Sequence, residues 1–196
     1  MKNKKIIIGT RGSKLAIIYA EKAKNQILKF SSNFTSEDIE IKKITTSGDI
    51  YQNKRLSELG GKGLFSKKIE DELLNNDIDI AVHALKDMPT DETDGLITNA
   101  FLERNDPREV ILSNDNIKLK DLTPNSLIGT SSYRREFQLR NLRKDLNYKL
   151  IRGNVDTRIK KLENGDYDAI LLSKAGIEAL GLTNKITHEF NTEELI

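Results

Sequence analysis

Apolar positions along the chain alternate between short continuous runs and longer stretches with a helical stripe. Ile6-Ile7-Ile8 is a run of the buried-strand kind and leads into the turn Gly9-Thr10-Arg11-Gly12-Ser13. Ser13 is placed to cap a helix over 14–29, with Leu15, Ile18 and Ala23 on one face. Residues 39–44 alternate as a strand, 45–63 form a polar loop ending in Gly60-Gly61-Lys62-Gly63, and 64–74 have helical spacing. A strand over 78–82 runs into His83-Ala84-Leu85-Lys86-Asp87-Met88-Pro89. After the polar stretch 90–95, strands are predicted at 97–102, 110–112 and 127–128. Gly129-Thr130-Ser131-Ser132 then opens a helix through 142, with Phe137 and Leu139 among its buried positions. A strand at 150–151, a helix over 155–162, a strand at 169–172 and a helix over 174–180 closed by Gly181 complete the pattern.

Strands alternating with helices predict two α/β domains with mainly parallel sheets, 1–100 and 101–196, joined near 98–105. In open sheets of this kind, ligands bind beyond the carboxyl ends of strands. The polar motifs fall at such ends: Arg11 and Ser13, Lys86 and Asp87, Ser131 to Arg135, Arg152 to Asn154. The two domains are expected to present them to each other across a cleft.

Composition narrows the partners. The 32 basic and 30 acidic side chains leave a net charge of +2, which gives no reason to expect nucleic acid or an anionic membrane. Anion binding must then come from local arrangement. The absence of cysteine excludes disulfides, thiolate metal sites and a cysteine nucleophile. Two histidines without cysteine offer no metal-ligand spacing, so no metal is predicted. The apolar run near the N-terminus is too short for a signal peptide, and no later run reaches a membrane span, so a cytoplasmic location is expected.

The chemistry rests on arginines. Arg11, Arg134, Arg135, Arg152 and Arg158, with Lys62 and Lys86, follow predicted strand ends. A guanidinium fork binds carboxylates or phosphates at two points, and Ser13, Ser131, Ser132 and helix N-termini add further donors. Taken singly, any of these arginines also fits a solvated face or a surface ion pair. Five after strand ends suit a ligand with several acidic groups. Asp87, beside Lys86 and stiffened by Pro89, can stabilise a developing cation or shuttle a proton, or it can cap turn amides. Asp49 has the same two readings. Gly60-Gly61-Lys62-Gly63 lacks the spacing of a phosphate-binding P-loop and fits a flexible loop before a helix. His83 reads as a buried, satisfied histidine, and Met88 and Phe65 as packing residues, Phe65 also being able to line a cleft.

Eight strings in order resemble the porphobilinogen deaminases. They are Ile8-Gly9-Thr10-Arg11-Gly12-Ser13, Thr46-Ser47-Gly48-Asp49, Gly60-Gly61-Lys62-Gly63-Leu64-Phe65, the run from Asp79 through Lys86-Asp87-Met88-Pro89, Asn105-Asp106-Pro107-Arg108, Gly129-Thr130-Ser131-Ser132-Tyr133-Arg134-Arg135, Arg152-Gly153-Asn154-Val155-Asp156-Thr157-Arg158, and Tyr167-Asp168-Ala169-Ile170-Leu171-Leu172. The resemblance implies two domains similar to periplasmic binding proteins, followed by a third. It implies an enzyme, a hydroxymethylbilane synthase, that joins four porphobilinogens head-to-tail into hydroxymethylbilane with release of ammonia. By the same resemblance, Asp87 assists loss of ammonia and stabilises cationic intermediates, and the adjacent Lys86 tunes it. Arg11, Ser13, Lys62, Lys86, Ser132, Arg134, Arg135, Arg152 and Arg158 hold carboxylates of a dipyrromethane cofactor and of the growing chain. Residues 50–59 correspond to a mobile lid.

The chain departs from the family at Lys14, where proline is usual, and after Ala16, where a tryptophan is missing. The resemblance also leads one to expect a third domain, whose cysteine holds the cofactor through a thioether, and these residues contain neither its pattern nor a cysteine. Two readings follow: a family enzyme, or a truncated, inactive module that binds anions or tetrapyrroles. A monomer is expected of a complete protein and self-association of a truncated one.

Overall fold

A computed structural model describes residues 5–50 and 63–195, without the side chains of Asp49 and Ile50. Lys62, Gly60, Gly61 and residues 51–59 of the expected lid lie outside the described residues. The chain divides into two compact units, Met1–Leu102 and Glu103–Ile196.

The first unit contains β1 (Ile6–Arg11), α1 (Lys14–Phe30), β2 (Ile39–Ile44), the single-turn α2 (Ser47–Ile50), α3 (Lys67–Leu74) and β3 (Ile80–Ala81). The strands pair in parallel in the order β2-β1-β3. Parallel pairing needs a covered crossover, which α1 and α3 supply. The continuous run Ile6-Ile7-Ile8 follows from that cover on both faces. Ile6 and Ile8 pack with Ala20, Ile27 and Ile39, whereas Ile7 packs with Ile44, Ile69, Leu73 and Ile78. The Ser13 hydroxyl accepts from Ala16 N at 3.2 Å, capping α1 as its position predicts. In the expected stripe Leu15, Ile18 and Ala23 are half-buried, and the fully buried member of α1 is Ala20.

The second unit contains β4 (Glu109–Ser113), β5 (Leu127–Gly129), α4 (Tyr133–Leu142), β6 (Asn147–Lys149), α5 (Val155–Glu163), β7 (Ala169–Ser173), α6 (Lys174–Ala179) and β8 (His188–Glu189). Its sheet has the order β6-β5-β7-β4-β8. β5 is parallel to β6 and β7, but β4 runs antiparallel to β7 and β8. Period-2 alternation sorts the core: Ile111 and Leu171 join Leu139 of α4 on one face, and Val110, Leu112 and Leu172 join Ile159, Leu162 and Ile177 on the other.

The α/β architecture with mainly parallel sheets holds, and several elements differ in detail. Residues 97–102 form no strand: they have no ladder partner, and Ile97 and Phe101 are 73% and 66% exposed. α3 begins at Lys67 rather than at residue 64, because residues 63–66 make a turn in which Gly63 takes positive φ. Phe137 is 68% exposed, since it lies two residues, about 200° around the helix, from the buried Leu139. The strand expected at 150–151 lies instead at Asn147–Lys149, a polar edge whose one inward side chain is Tyr148. Ile151 is buried core just after it. β8 was not foreseen; two residues leave no periodic signal.

Candidate functional site

In the first unit, β1 is central and its chain neighbours lie on either side, so β1 and β3 flank a switch in strand order. Beyond their carboxyl ends sit Arg11 and, in a short 3₁₀ turn, Leu85–Asp87. Met88 N donates to Leu85 O and Asp87 N to Ala84 O, which together with Pro89 fix the turn. Arg11 Nη1 lies 3.9 Å from Asp87 Oδ2, and the Arg11 guanidinium stacks 3.9 Å from the centre of the Phe65 ring. Phe65 in turn covers Gly48, where an added Cβ would fall 2.2 Å from the ring. Lys86 is exposed and forms no ion pair with Asp87, so the cation beside Asp87 is Arg11 rather than the sequence neighbour expected to tune it. His83 is half-buried near Glu70, Asp87 and Arg11, and its Nε2, closed off from solvent, has no hydrogen-bond partner, so the imidazole is not the satisfied one expected. Burial holds its imidazole below the ordinary histidine value; Glu70 and Asp87 oppose that shift and Arg11 adds to it.

In the second unit, the switch lies between β5 and β7. Beyond β5, Ser132 caps α4 by accepting from Arg135 N at 3.4 Å, and its O–H can still donate to an anion. Arg134 and Arg135 leave the first turn of this helix. Beyond β6, Arg152 precedes α5 and Arg158 stands on it, with Arg158 Nε donating to Gly153 O at 2.8 Å. Burial, followed by repulsion from Arg135 and Arg152, lowers the Arg158 guanidinium to about 10. The structure therefore gathers Arg135, Arg152 and Arg158 into one cationic cluster, with Arg134 beside it. The other arginines of α4 and its end serve the fold. Arg140 pairs with Glu136 and stacks on Tyr148, and Arg143 grips Asp145 and the carbonyls of Leu119 and Leu122.

Sequence reasoning missed the acidic member of this cluster. Glu109, at the start of β4, is 3% exposed and pairs with both Arg134 and Arg135. Its signal was available only as a glutamate opening an apolar run, beside Asp106-Pro107-Arg108. That motif forms a second network: Asp106 accepts from the Arg108 backbone and guanidinium, and Lys174 bridges Asp106 and Glu189. Hydrogen bonding from Arg108 holds the Asp106 carboxyl far below its usual range. Among the described residues, no helix is long and apolar enough to cross a membrane.

Over residues 6–196 the chain matches the family described as porphobilinogen deaminase, dipyromethane cofactor binding domain. The porphobilinogen deaminase of Bacillus pumilus is 46% identical over 189 residues, covering 96% of this chain and 60% of that relative. That of Chlorobium chlorochromatii is 45% identical over 184 residues, covering 94% and 58%. The chain thus spans about three fifths of the length of the curated relatives it matches. Among solved structures, the second substrate-binding domain of GlnP from Lactococcus lactis is similar at 13% identity, with a TM-score of 0.47, covering 95% of this chain and 75% of that one. The match from residue 6 to residue 196, and relatives identical at nearly half of the aligned positions, place this chain in the porphobilinogen deaminase family.

Proposed function

We propose that these residues are the substrate-holding and proton-handling part of a hydroxymethylbilane synthase, a transferase that joins four porphobilinogens into a linear tetrapyrrole. The observation that carries the reading is the cluster of Arg135, Arg152 and Arg158, with Arg134, at the carboxyl ends of β5 and β6. Porphobilinogen carries an acetate and a propionate, and guanidinium forks are the donors that hold such groups at two points. Ser13 and Ser132, at helix N-termini, add hydroxyl and backbone donors. Lys86 and Lys62 are proposed as further cations for the same carboxylates.

Asp87 is assigned the chemical role. As the substrate aminomethyl carbon loses ammonia, the C–N bond breaks, the nitrogen leaves with its electron pair, and a cation remains on the pyrrole. The Asp87 carboxylate stabilises that cation. It then takes the proton released when the α-carbon of the neighbouring pyrrole forms the new C–C bond. Arg11, 3.9 Å away and backed by Phe65, keeps the carboxylate in place. The arginine donor set fits the carboxylates of a dipyrromethane, which when bound supplies the pyrrole end from which the product grows. Its thioether anchor does not fit these residues, because none of the 196 is cysteine. With this reading go porphobilinogen and linear pyrroles as partners, neither nucleic acid nor a membrane, and a cytoplasmic location. Self-association of the chain is proposed through the exposed Ile97 and Phe101.

The test is turnover of porphobilinogen by the protein, followed as ammonia release and as linear pyrrole detected with Ehrlich's reagent. Asp87→Asn is expected to lower turnover by about 10²–10⁴-fold while leaving porphobilinogen binding within a few-fold. A protein that binds porphobilinogen and releases no ammonia would instead be a binding module.

A further inference from the structure

Glu109 stands out as a buried carboxylate on a face built to attract carboxylates. Its Oε1 accepts from Arg134 Nη2 at 2.7 Å and from Arg135 Nε at 2.8 Å, and its Oε2 lies 2.7 Å from Arg135 Nη2. The topology explains how it arrives there. β4 runs antiparallel to β7 with Glu109 opposite Ser173, so the first residue of β4 reaches the carboxyl end of β7 and of its parallel neighbour β5. A surface ion pair needs no such dry position, and burying a carboxylate is costly unless it is well paired. Arg135 meets Glu109 through a hydrogen bond from Nε to Oε1 and an ionic contact of Nη2 with Oε2, which makes no hydrogen bond of its own; together they hold this edge of the guanidinium against the carboxylate. Arg134, half exposed, is tied at one point.

We propose that Glu109 is a positioning residue for the arginine face: it orients Arg135 and tethers Arg134 so that both present donors to a ligand carboxylate. The proposal rests on the reading of this face as a carboxylate site. A negative charge here also repels an incoming anion, so the two effects have opposite signs. If repulsion governed, removing the charge would tighten anion binding. If positioning governs, removing it loosens binding although the face becomes more positive, because Arg135 then turns freely and its repulsion from Arg152 and Arg158 is no longer offset.

The experiment is calorimetric titration of the full 196-residue chain with porphobilinogen, for the unaltered protein and for Glu109→Gln, Glu109→Asp and Arg158→Met, below the melting temperature of each. Glu109→Gln is expected to weaken binding about tenfold. Glu109→Asp retains the charge but withdraws it by one methylene, and is expected to fall between the glutamine variant and the unaltered chain. Arg158→Met reports on the face itself and is expected to weaken binding in every case. Weakening by Arg158→Met together with unchanged or tighter binding in both Glu109 variants would overturn the positioning role and leave the carboxylate face standing. Equal binding by Arg158→Met and the unaltered chain would overturn the face, and the proposal with it.

Discussion

At the scale of single residues, His83 and Asp87 leave the same strand four positions apart and meet different surroundings. Asp87 is partly exposed beside Arg11, whereas His83 is turned inward toward Glu70. Because burial disfavours its charged form, the folded protein takes up this proton at lower pH than the unfolded chain does. Stability is therefore full above the ordinary histidine value of about 6.5 and declines as pH falls through that value toward the lowered one. His188 is shifted in the same direction by burial and adds to the effect, whereas Asp106 acts only below the usual carboxylate range. His83→Gln is expected to show a smaller drop in melting temperature between pH 7.5 and 5.5 than the unaltered chain. Identical drops would mean that this imidazole is not the titrating group. Arg11, Arg134, Arg135 and Arg152 were legible in the sequence because they fall at or within six residues of a strand end, and Arg158 because it stands in the first turn or so of the helix that follows. Glu109 was not, because its partners lie 25 and 26 residues further on and reach it through an antiparallel pairing that local patterning does not reveal.

At the scale of elements, the link from β6 to α5 shows how a short string sets a site. Gly153 adopts φ +112, and an added Cβ would lie 2.8 Å from Thr157 Cγ2. Only a residue without a side chain lets the backbone turn there and send its carbonyl to Arg158 Nε. Gly153→Ala is expected to cost about 1–3 kcal/mol, measured by denaturant unfolding, and to release Arg158 from its carbonyl. An unchanged midpoint would show that the turn adapts. Helices α1 and α4 were readable because Ser13 and Ser132 stand before them, and α5 because its apolar residues recur at helical spacing. The segment 97–102 misled because it has strand-like composition, while a strand also needs a pairing edge, which composition does not encode.

At the scale of the whole molecule, each unit has its own hydrophobic clusters, and the residues joining them from 97 to 105 are exposed. Arg104 lies in that stretch, so among the described residues brief trypsin treatment is expected to cut there first and to separate two units that remain folded by circular dichroism. Rapid degradation of either fragment would show that the units depend on each other for stability. The antiparallel course of β4 has a further consequence. Sliding β4 by two residues against β7 would keep every side chain on its own face, yet it would bring Ile111 opposite Ser173 and set hydrocarbon before the arginines. Against that slip stands the ionic knot of Asp106, Arg108, Lys174 and Glu189, which ties the entry of β4 to the segments on both sides of it. The polarity of the arginine face is thus written in the phase of a β-ladder, and a motif outside that face acts as its detent.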